Sequence, residues 1–192
     1  MPALLPLVLA LSQAAAPPTL TLEIRVFAAG EEVTGETRVT VHRAGDRTAA
    51  VPPAAGHAGR HVFAVPAGIY DAQVVRERDG RVVNIRWAER LIVMPYPDED
   101  GRHLEVVNFT AGYGAVQVRP APGTPLPEVA LFAAGDRGRQ VAVPAPHEAD
   151  ASYALFVVPA QRYDMRVRAG DRTAWHADLE VPLERTRLWV IP

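Results

Sequence analysis

Hydrophobic and polar residues alternate with a period of two through most of the chain after Thr19. This spacing is typical of β-strands with one buried face. In the first such run the apolar positions are Leu20, Leu22, Ile24 and Val26. Further strand-like runs cover residues 39–41, 62–65, 70–75, 82–87 and 104–109. Because helical spacing is missing, and 18 Pro and 14 Gly are spread along the chain, the pattern predicts an all-β protein.

Short turn signals separate the predicted strands. Gly45, Gly80 and Gly101 each lie beside an Asp, a pairing that is common in tight turns. Asp79-Gly80 joins two β-rich runs directly, which predicts a hairpin.

The second half of the sequence resembles the first. Residues 156–167 are identical to residues 63–74 at seven of twelve positions, 93 positions further along the chain. Upstream, Ala-Gly-Asp-Arg at 44–47 recurs at 134–137, and the two matches keep their order. The same four residues also occur at 169–172, at a position that is not equivalent, so part of this match reflects recurring turn chemistry. The repeat predicts a duplicated domain.

The predicted division places one domain at 18–110 and a second at 111–192. Two glycines, Gly112 and Gly114, mark the boundary between strand-like runs. Late in each repeat, residues 91–95 resemble residues 188–192. Such a short connector predicts two nearly abutting domains.

The strongest repeated motif reads Phe-x-Val-Pro-Ala-x-x-Tyr-Asp. In the first copy we expect Pro66 to end a strand and Gly68 to adopt a positive φ in the reversal. Tyr70 then begins the returning strand with its hydroxyl on a backbone partner, and Asp71 fixes the turn by a hydrogen bond to the backbone. The matching residues of the second copy are Pro159, Tyr163 and Asp164. Gln161 replaces the turn glycine there, which predicts a different turn.

This motif resembles the carboxypeptidase-regulatory-like domains and the related PEGA and Cna-B-type modules. It covers Val65 to Asp71 and, less closely, Val158 to Asp164. The resemblance implies two tandem seven-stranded prealbumin-like (Ig-like) sandwiches with Greek-key connections. It also implies a spacer, a stalk or a module that contacts proteins or glycans.

The amino-acid composition excludes several classes of site and partner. Without cysteine there are no disulfides, thiolate sites or N-terminal lipidated Cys. A net charge of -2 gives no basic face for nucleic acid.

The apolar run Ala3–Leu11 is too short to span a bilayer and suits a secretory signal. Cleavage after Ala14 would make residues 1–14 the signal peptide. A retained anchor or an ordinary terminal strand or helix are the alternatives. We therefore expect a secreted or periplasmic protein without a transmembrane segment beyond this signal.

Candidate catalytic chemistry is sparse. His57 and His61 lie four apart in a loop, a spacing that suits a metal only on a helix. The run Asp98-Glu99-Asp100-Gly101 lacks the full ligand series of a calcium loop, although a weak calcium site is an alternative to a solvated acidic hairpin. Nucleophile elbows, phosphate loops and dinucleotide fingerprints are missing from the sequence. We predict no catalytic residues, no metal ligands and no cofactor.

Three tryptophans, Trp87, Trp175 and Trp189, are the candidate ligand contacts. Core packing is the first interpretation, and sugar stacking or a protein contact are the others.

The leading hypothesis is a non-catalytic module that binds a protein or a cell-envelope component through a strand edge or loops. The alternatives are a carbohydrate-binding module with two exposed tryptophans side by side, and a hydrolase or metal enzyme on a transthyretin-like fold.

Overall fold

The computed structural model describes residues 18–95, 101–145 and 152–191. These residues form fifteen β-strands and one short 3-10 turn at Thr34–Glu36, and the described ranges contain no α-helix. The prediction of an all-β protein is confirmed. The predicted signal at 1–14 and the acidic residues 98–100 lie outside the described residues.

The first half contains eight strands. They are β1 (Thr19–Ala28), β2 (Glu31–Glu32), β3 (Thr37–Arg43), β4 (Asp46–Val51), β5 (His61–Pro66), β6 (Gly68–Arg78), β7 (Arg81–Val93) and β8 (Arg102–Asn108). The second half contains β9 (Tyr113–Arg119), β10 (Glu128–Ala133), β11 (Asp136–Ala142), β12 (Ala154–Pro159), β13 (Arg162–Ala169), β14 (Arg172–Glu180) and β15 (Thr186–Val190).

Each half is built from two sheets with the same topology. In the first half, β1 lies between antiparallel β5 and parallel β8, and the two-residue β2 extends the β5 side. The second sheet has the order β4-β3-β6-β7. The second half repeats both patterns as β12-β9-β15, with β15 parallel to β9, and β11-β10-β13-β14. Seven strands therefore correspond one to one, and no strand pairing between described residues joins the halves.

Alternation of residues along the strands fills two cores. Leu22, Ile24 and Val26 of β1 face Ala72 and Val74 of β6 across the first sandwich, and all are fully buried. The second core is formed in the same way. Its largest members are Phe156, Tyr163, Met165, Leu131 and Leu179.

A third apolar cluster joins the two halves. Phe27, Leu104 and Val106 of the first half pack against Ala115, Leu155 and Val157 of the second half. These residues alternate with core residues along their strands, so they lie on outward faces of β1, β8, β9 and β12. Burial of this surface favours a close association of the two halves.

Within the described ranges, no helix is long and apolar enough to cross a membrane.

Candidate functional site

The repeated tyrosine closes the connection between two strands in both halves. The Tyr70 hydroxyl donates a hydrogen bond to the Pro66 carbonyl oxygen at 2.7 Å. The Tyr163 hydroxyl donates to the Pro159 oxygen at 2.8 Å. Both rings are buried, and this burial raises the pKa of both hydroxyl groups. The motif thus links the end of one strand to the start of the next.

The expected positive φ at Gly68 is wrong. The glycines with positive φ do not include it, and Gly68 is already part of β6, paired with Val93. A Cβ at this position would meet the Tyr70 ring at 3.5 Å, an ordinary van der Waals contact, so packing does not require glycine there either. Because the turn needs no left-handed residue, the predicted need for a different turn at Gln161 has no basis, and both copies form the same tyrosine hydrogen bond.

The repeated aspartate holds a bulge on the neighbouring strand rather than its own turn. Asp71 accepts a hydrogen bond from the Arg90 backbone N–H at 3.0 Å, and Asp164 accepts one from Asp178 N–H at 3.2 Å. Arg90 and Asp178 both have a φ of 56°. A non-glycine residue in this region is strained, so a buried carboxylate acceptor compensates part of the cost at each site.

An arginine covers a tryptophan beside each aspartate. The Arg47 guanidinium lies 4.0 Å from the Trp87 ring centroid, and that of Arg137 lies 4.9 Å from Trp175. Arg47 also pairs with Glu89 at 2.5 Å. These arginines come from the repeated Ala-Gly-Asp-Arg turns, so the duplicated tetrapeptides are equivalent in space. Cation–π packing of this kind stabilises the outer face of each sheet.

All three tryptophans are half-buried, and each has its own ring partner. Trp87 lies 6.0 Å from His42, and Trp175 lies 4.9 Å from Phe132. The Trp189 ring lies 5.3 Å from His176 and borders the second core. In the described parts of the chain no two tryptophan rings contact each other, so the exposed pair that the carbohydrate-binding alternative requires is not found there.

The hairpin β6–β7 is longer than its duplicate. Its strands have 11 and 13 residues, whereas β13 and β14 have 8 and 9. We call the tip, residues 76–86, the arm. Three apolar side chains of β7 are exposed on it: Val82 (55%), Val83 (54%) and Ile85 (55%). At the position equivalent to Ile85 the second half has Thr173, so the exposed apolar surface belongs to the first half alone.

Strand β7 is an edge of its sheet, because it pairs only with β6. Register shifts near Val83 and near Glu89 interrupt the ladder, and the regular stretch between them is Asn84–Ala88. Arg185 donates a hydrogen bond of 2.9 Å to the Glu89 carbonyl oxygen, on the outer side of β7. Among the described residues, no hydrogen bond to the outer backbone groups of β7 precedes it along the strand. Five regular residues of this edge thus present backbone groups for pairing.

A concavity of about 330 Å³ lies beside this edge. One wall is β7 from Arg86 to Glu89. The rest is formed by Val107 and Asn108 of β8 and by the connection between β14 and β15, where Leu183 is 60% exposed. An ion pair of 2.5 Å between Arg86 and Glu184 joins β7 to this connection. The concavity is therefore built by both halves of the protein, and we call it the edge groove.

A second concavity, of about 390 Å³, lies nearer the other end of the junction. Glu105 of β8 borders it, and Thr186 of β15 donates hydrogen bonds to this carboxylate from its hydroxyl and backbone N–H. Burial raises the pKa of Glu105 to about 7, and the Thr186 hydrogen bonds and the nearby Arg185 offset this rise only in part. Thr186 Oγ1 also accepts from Val106 N–H at 2.8 Å.

Metal-ligating side chains form no cluster in the part of the chain that is described. Groups of three or more His, Asp or Glu side chains that could hold a metal do not occur there. The His61 ring Nε2 lies 2.9 Å from Thr37 Oγ1 and 3.2 Å from the Thr34 carbonyl oxygen, and burial lowers its pKa. His61 thus has a local structural role.

The chain matches no protein-family model, and no curated protein matches it. Several solved all-β proteins share weak structural similarity. They include the Bacillus anthracis TIE protein (14% identity, TM-score 0.30, covering 90% of this chain and 33% of that one). A fimbrial protein from Bacteroides ovatus has 10% identity and a TM-score of 0.33, with 92% and 49% covered. The tip fimbrial protein Mfa3 from Porphyromonas gingivalis has 11% identity and a TM-score of 0.28, with 90% and 94% covered. The chain thus spans about a third and about half of the first two proteins.

Proposed function

We propose that this protein is a non-catalytic, extracytoplasmic module of two domains, 18–110 and 111–192, that binds another protein of the cell envelope. The docking surface is the outer edge of β7 together with the arm and the edge groove. An extended segment of the partner adds to the sheet there. Such strand addition gains affinity from main-chain hydrogen bonds and specificity from alternate side chains.

The observation that carries the proposal is the difference between two duplicated hairpins. β13–β14 is short and has Thr173 where β6–β7 has Ile85. The longer hairpin exposes apolar side chains on an edge strand that proteins ordinarily protect. Export is supported by the apolar leader at 3–11 with the small residues that follow it.

A quantitative pull-down from native envelope extract tests the proposal with two matched variants. Ile85→Lys places a charge on the exposed edge, and Thr173→Lys makes the same change at the equivalent place in the second half. We expect Thr173→Lys to retain the proteins enriched by the wild type and Ile85→Lys to lose them. Equal enrichment by both variants would remove β7 as the docking site.

A glycan array run with the same proteins examines the carbohydrate alternative. A glycan that binds the wild type and is lost in Trp87→Ala, but not in Ile85→Lys, would place that alternative first.

A further inference from the structure

Two arginines stand at the ends of the exposed part of β7. Arg81 begins the strand at the tip of the arm, and Arg90 lies in the bulge beyond Ala88. Both are exposed, and neither side chain forms an ion pair among the described residues. Nine positions of extended chain separate them, which corresponds to roughly 30 Å.

The other arginines nearby already have acidic partners. Arg86 pairs with Glu184 at 2.5 Å, and Arg76 pairs with Glu36 at 2.7 Å. The duplicate provides a comparison at the second position, since Asp178 is equivalent to Arg90 and lies 3.8 Å from Arg162. An arginine without an ion pair at this bulge, among the described residues, is therefore a feature of the first half, although Arg90 borders a concavity that Asp71 and Glu89 also line.

The exposed large apolar side chains of β7 between the two arginines lie on the arm, whereas Arg86 and Glu89 in the same stretch are already ion-paired. Val82, Val83 and Ile85 are exposed on the arm, and Leu183 faces the same edge across the edge groove. A segment that covers this surface needs apolar side chains in its middle and negative charge where it reaches Arg81 and Arg90.

We propose that the partner segment is an extended strand of about ten residues with alternating apolar side chains and a carboxylate at each end. This inference rests on the proposed function, because it assumes that β7 is the docking edge. Its carboxylates pair with Arg81 and Arg90, and its backbone pairs with the regular stretch Asn84–Ala88. Electrostatic complementarity of this kind contributes mainly to orientation and selectivity.

A second copy of β7 fits this surface poorly. It would bring three further arginines, Arg81, Arg86 and Arg90, to an edge that already has the same three. Its single acidic residue, Glu89, is engaged by Arg47. Self-pairing would thus leave the end arginines facing positive charge.

Fluorescence anisotropy with two labelled ten-residue peptides tests the inference. Both alternate Thr and Val over eight central residues, and one has Glu at each end while the other has Lys. We expect the Glu-ended peptide to bind about ten-fold tighter at low salt, since each exposed ion pair contributes a few-fold and the Lys ends are repelled. Salt at 0.5 M should reduce this ratio to about two-fold or less.

Variants of the protein distinguish the contribution of the two arginines to peptide binding from that of strand addition. The double variant Arg81→Gln/Arg90→Gln should bind both peptides alike, while Ile85→Lys should bind neither, and Thr173→Lys should behave as the wild type. Equal binding of both peptides to the wild type overturns the carboxylate-ended partner and leaves the docking edge intact. Binding of neither peptide, with a pull-down that still depends on Ile85, overturns only the extended partner. Dimerisation of the wild type that Ile85→Lys abolishes, measured by sedimentation, would make a second copy the occupant.

Discussion

Glu105 makes the stability of the protein depend on pH near neutrality. It belongs to β8 and accepts hydrogen bonds from Thr186 of β15, between the two halves. Burial there raises its pKa from 4.5 to about 7. Arg185, before β15, is the charged residue that acts on it, and Arg102 and His103 of its own strand border the same concavity. The replacement Glu105→Gln keeps the shape and a hydrogen-bond acceptor but removes the titrating proton.

The direction of this pH dependence follows from the number of protons that the folded and the unfolded protein bind. Between pH 4.5 and 7 the folded protein holds a proton on Glu105 that the unfolded chain has lost. The free energy of unfolding therefore falls as the pH rises through this window. A shift from 4.5 to about 7 corresponds to about 3 kcal/mol of stability present below pH 4.5 and lost above pH 7.

Urea unfolding of the wild type and Glu105→Gln at pH 4.5, 6, 7 and 8 measures this effect. We expect similar stabilities at pH 4.5 and a variant that is about 3 kcal/mol more stable at pH 8. Taking the difference at each pH removes the contributions of the other carboxylates, which both proteins share. A difference that does not change with pH, or a less stable variant at pH 8, would refute the assignment of a buried, neutral Glu105.

Five further substitutions test the repeated motif and the contacts around it. Gly68→Ala should change the unfolding free energy by no more than about 0.5 kcal/mol, since the added Cβ meets only the Tyr70 ring, at 3.5 Å. Gly114→Ala should lower the unfolding free energy by about 3 kcal/mol or more, because its Cβ would lie 1.8 Å from a backbone oxygen. Tyr70→Phe and Tyr163→Phe should each cost about 1 kcal/mol, measured by urea unfolding, and a much larger loss for one would contradict their equivalence. Arg47→Met should shift tryptophan emission to longer wavelength, because it uncovers the indole ring 4.0 Å beneath the guanidinium, and unchanged emission would argue against that packing.

Alternation and repetition carried most of the fold prediction. A period of two is a local property, so the strands of both halves could be located without knowing their neighbours. The hairpin at Asp79-Gly80 formed as predicted, with both residues at positive φ. The wrong expectation at Gly68 arose because a glycine after Pro-Ala is typical of a turn, whereas here it is the first residue of β6 and pairs with Val93.

The candidate sites depended on contacts that a local pattern does not contain. Val82, Val83 and Ile85 read as an ordinary strand, and only the sheet order makes β7 an edge. Glu105 reads as one more polar position of an alternating run, and the sequence does not show its hydrogen bonds to Thr186, 81 positions away. The unequal lengths of the two hairpins were available from the sequence, because the motif and the Trp residues are 93 and 88 positions apart in the repeats. That difference of spacing was the signal for the arm.

The parallel pairing of the first and last strand in each half has a mechanical consequence. If an exported protein is pulled from its two ends, β1 slides along β8, and β9 slides along β15. The ladder bonds between each pair are then loaded together in shear, instead of opening one after another. Seven residue pairs join β1 to β8, but only five join β15 to β9. The second half should therefore unfold first under tension, before the half that contains the arm.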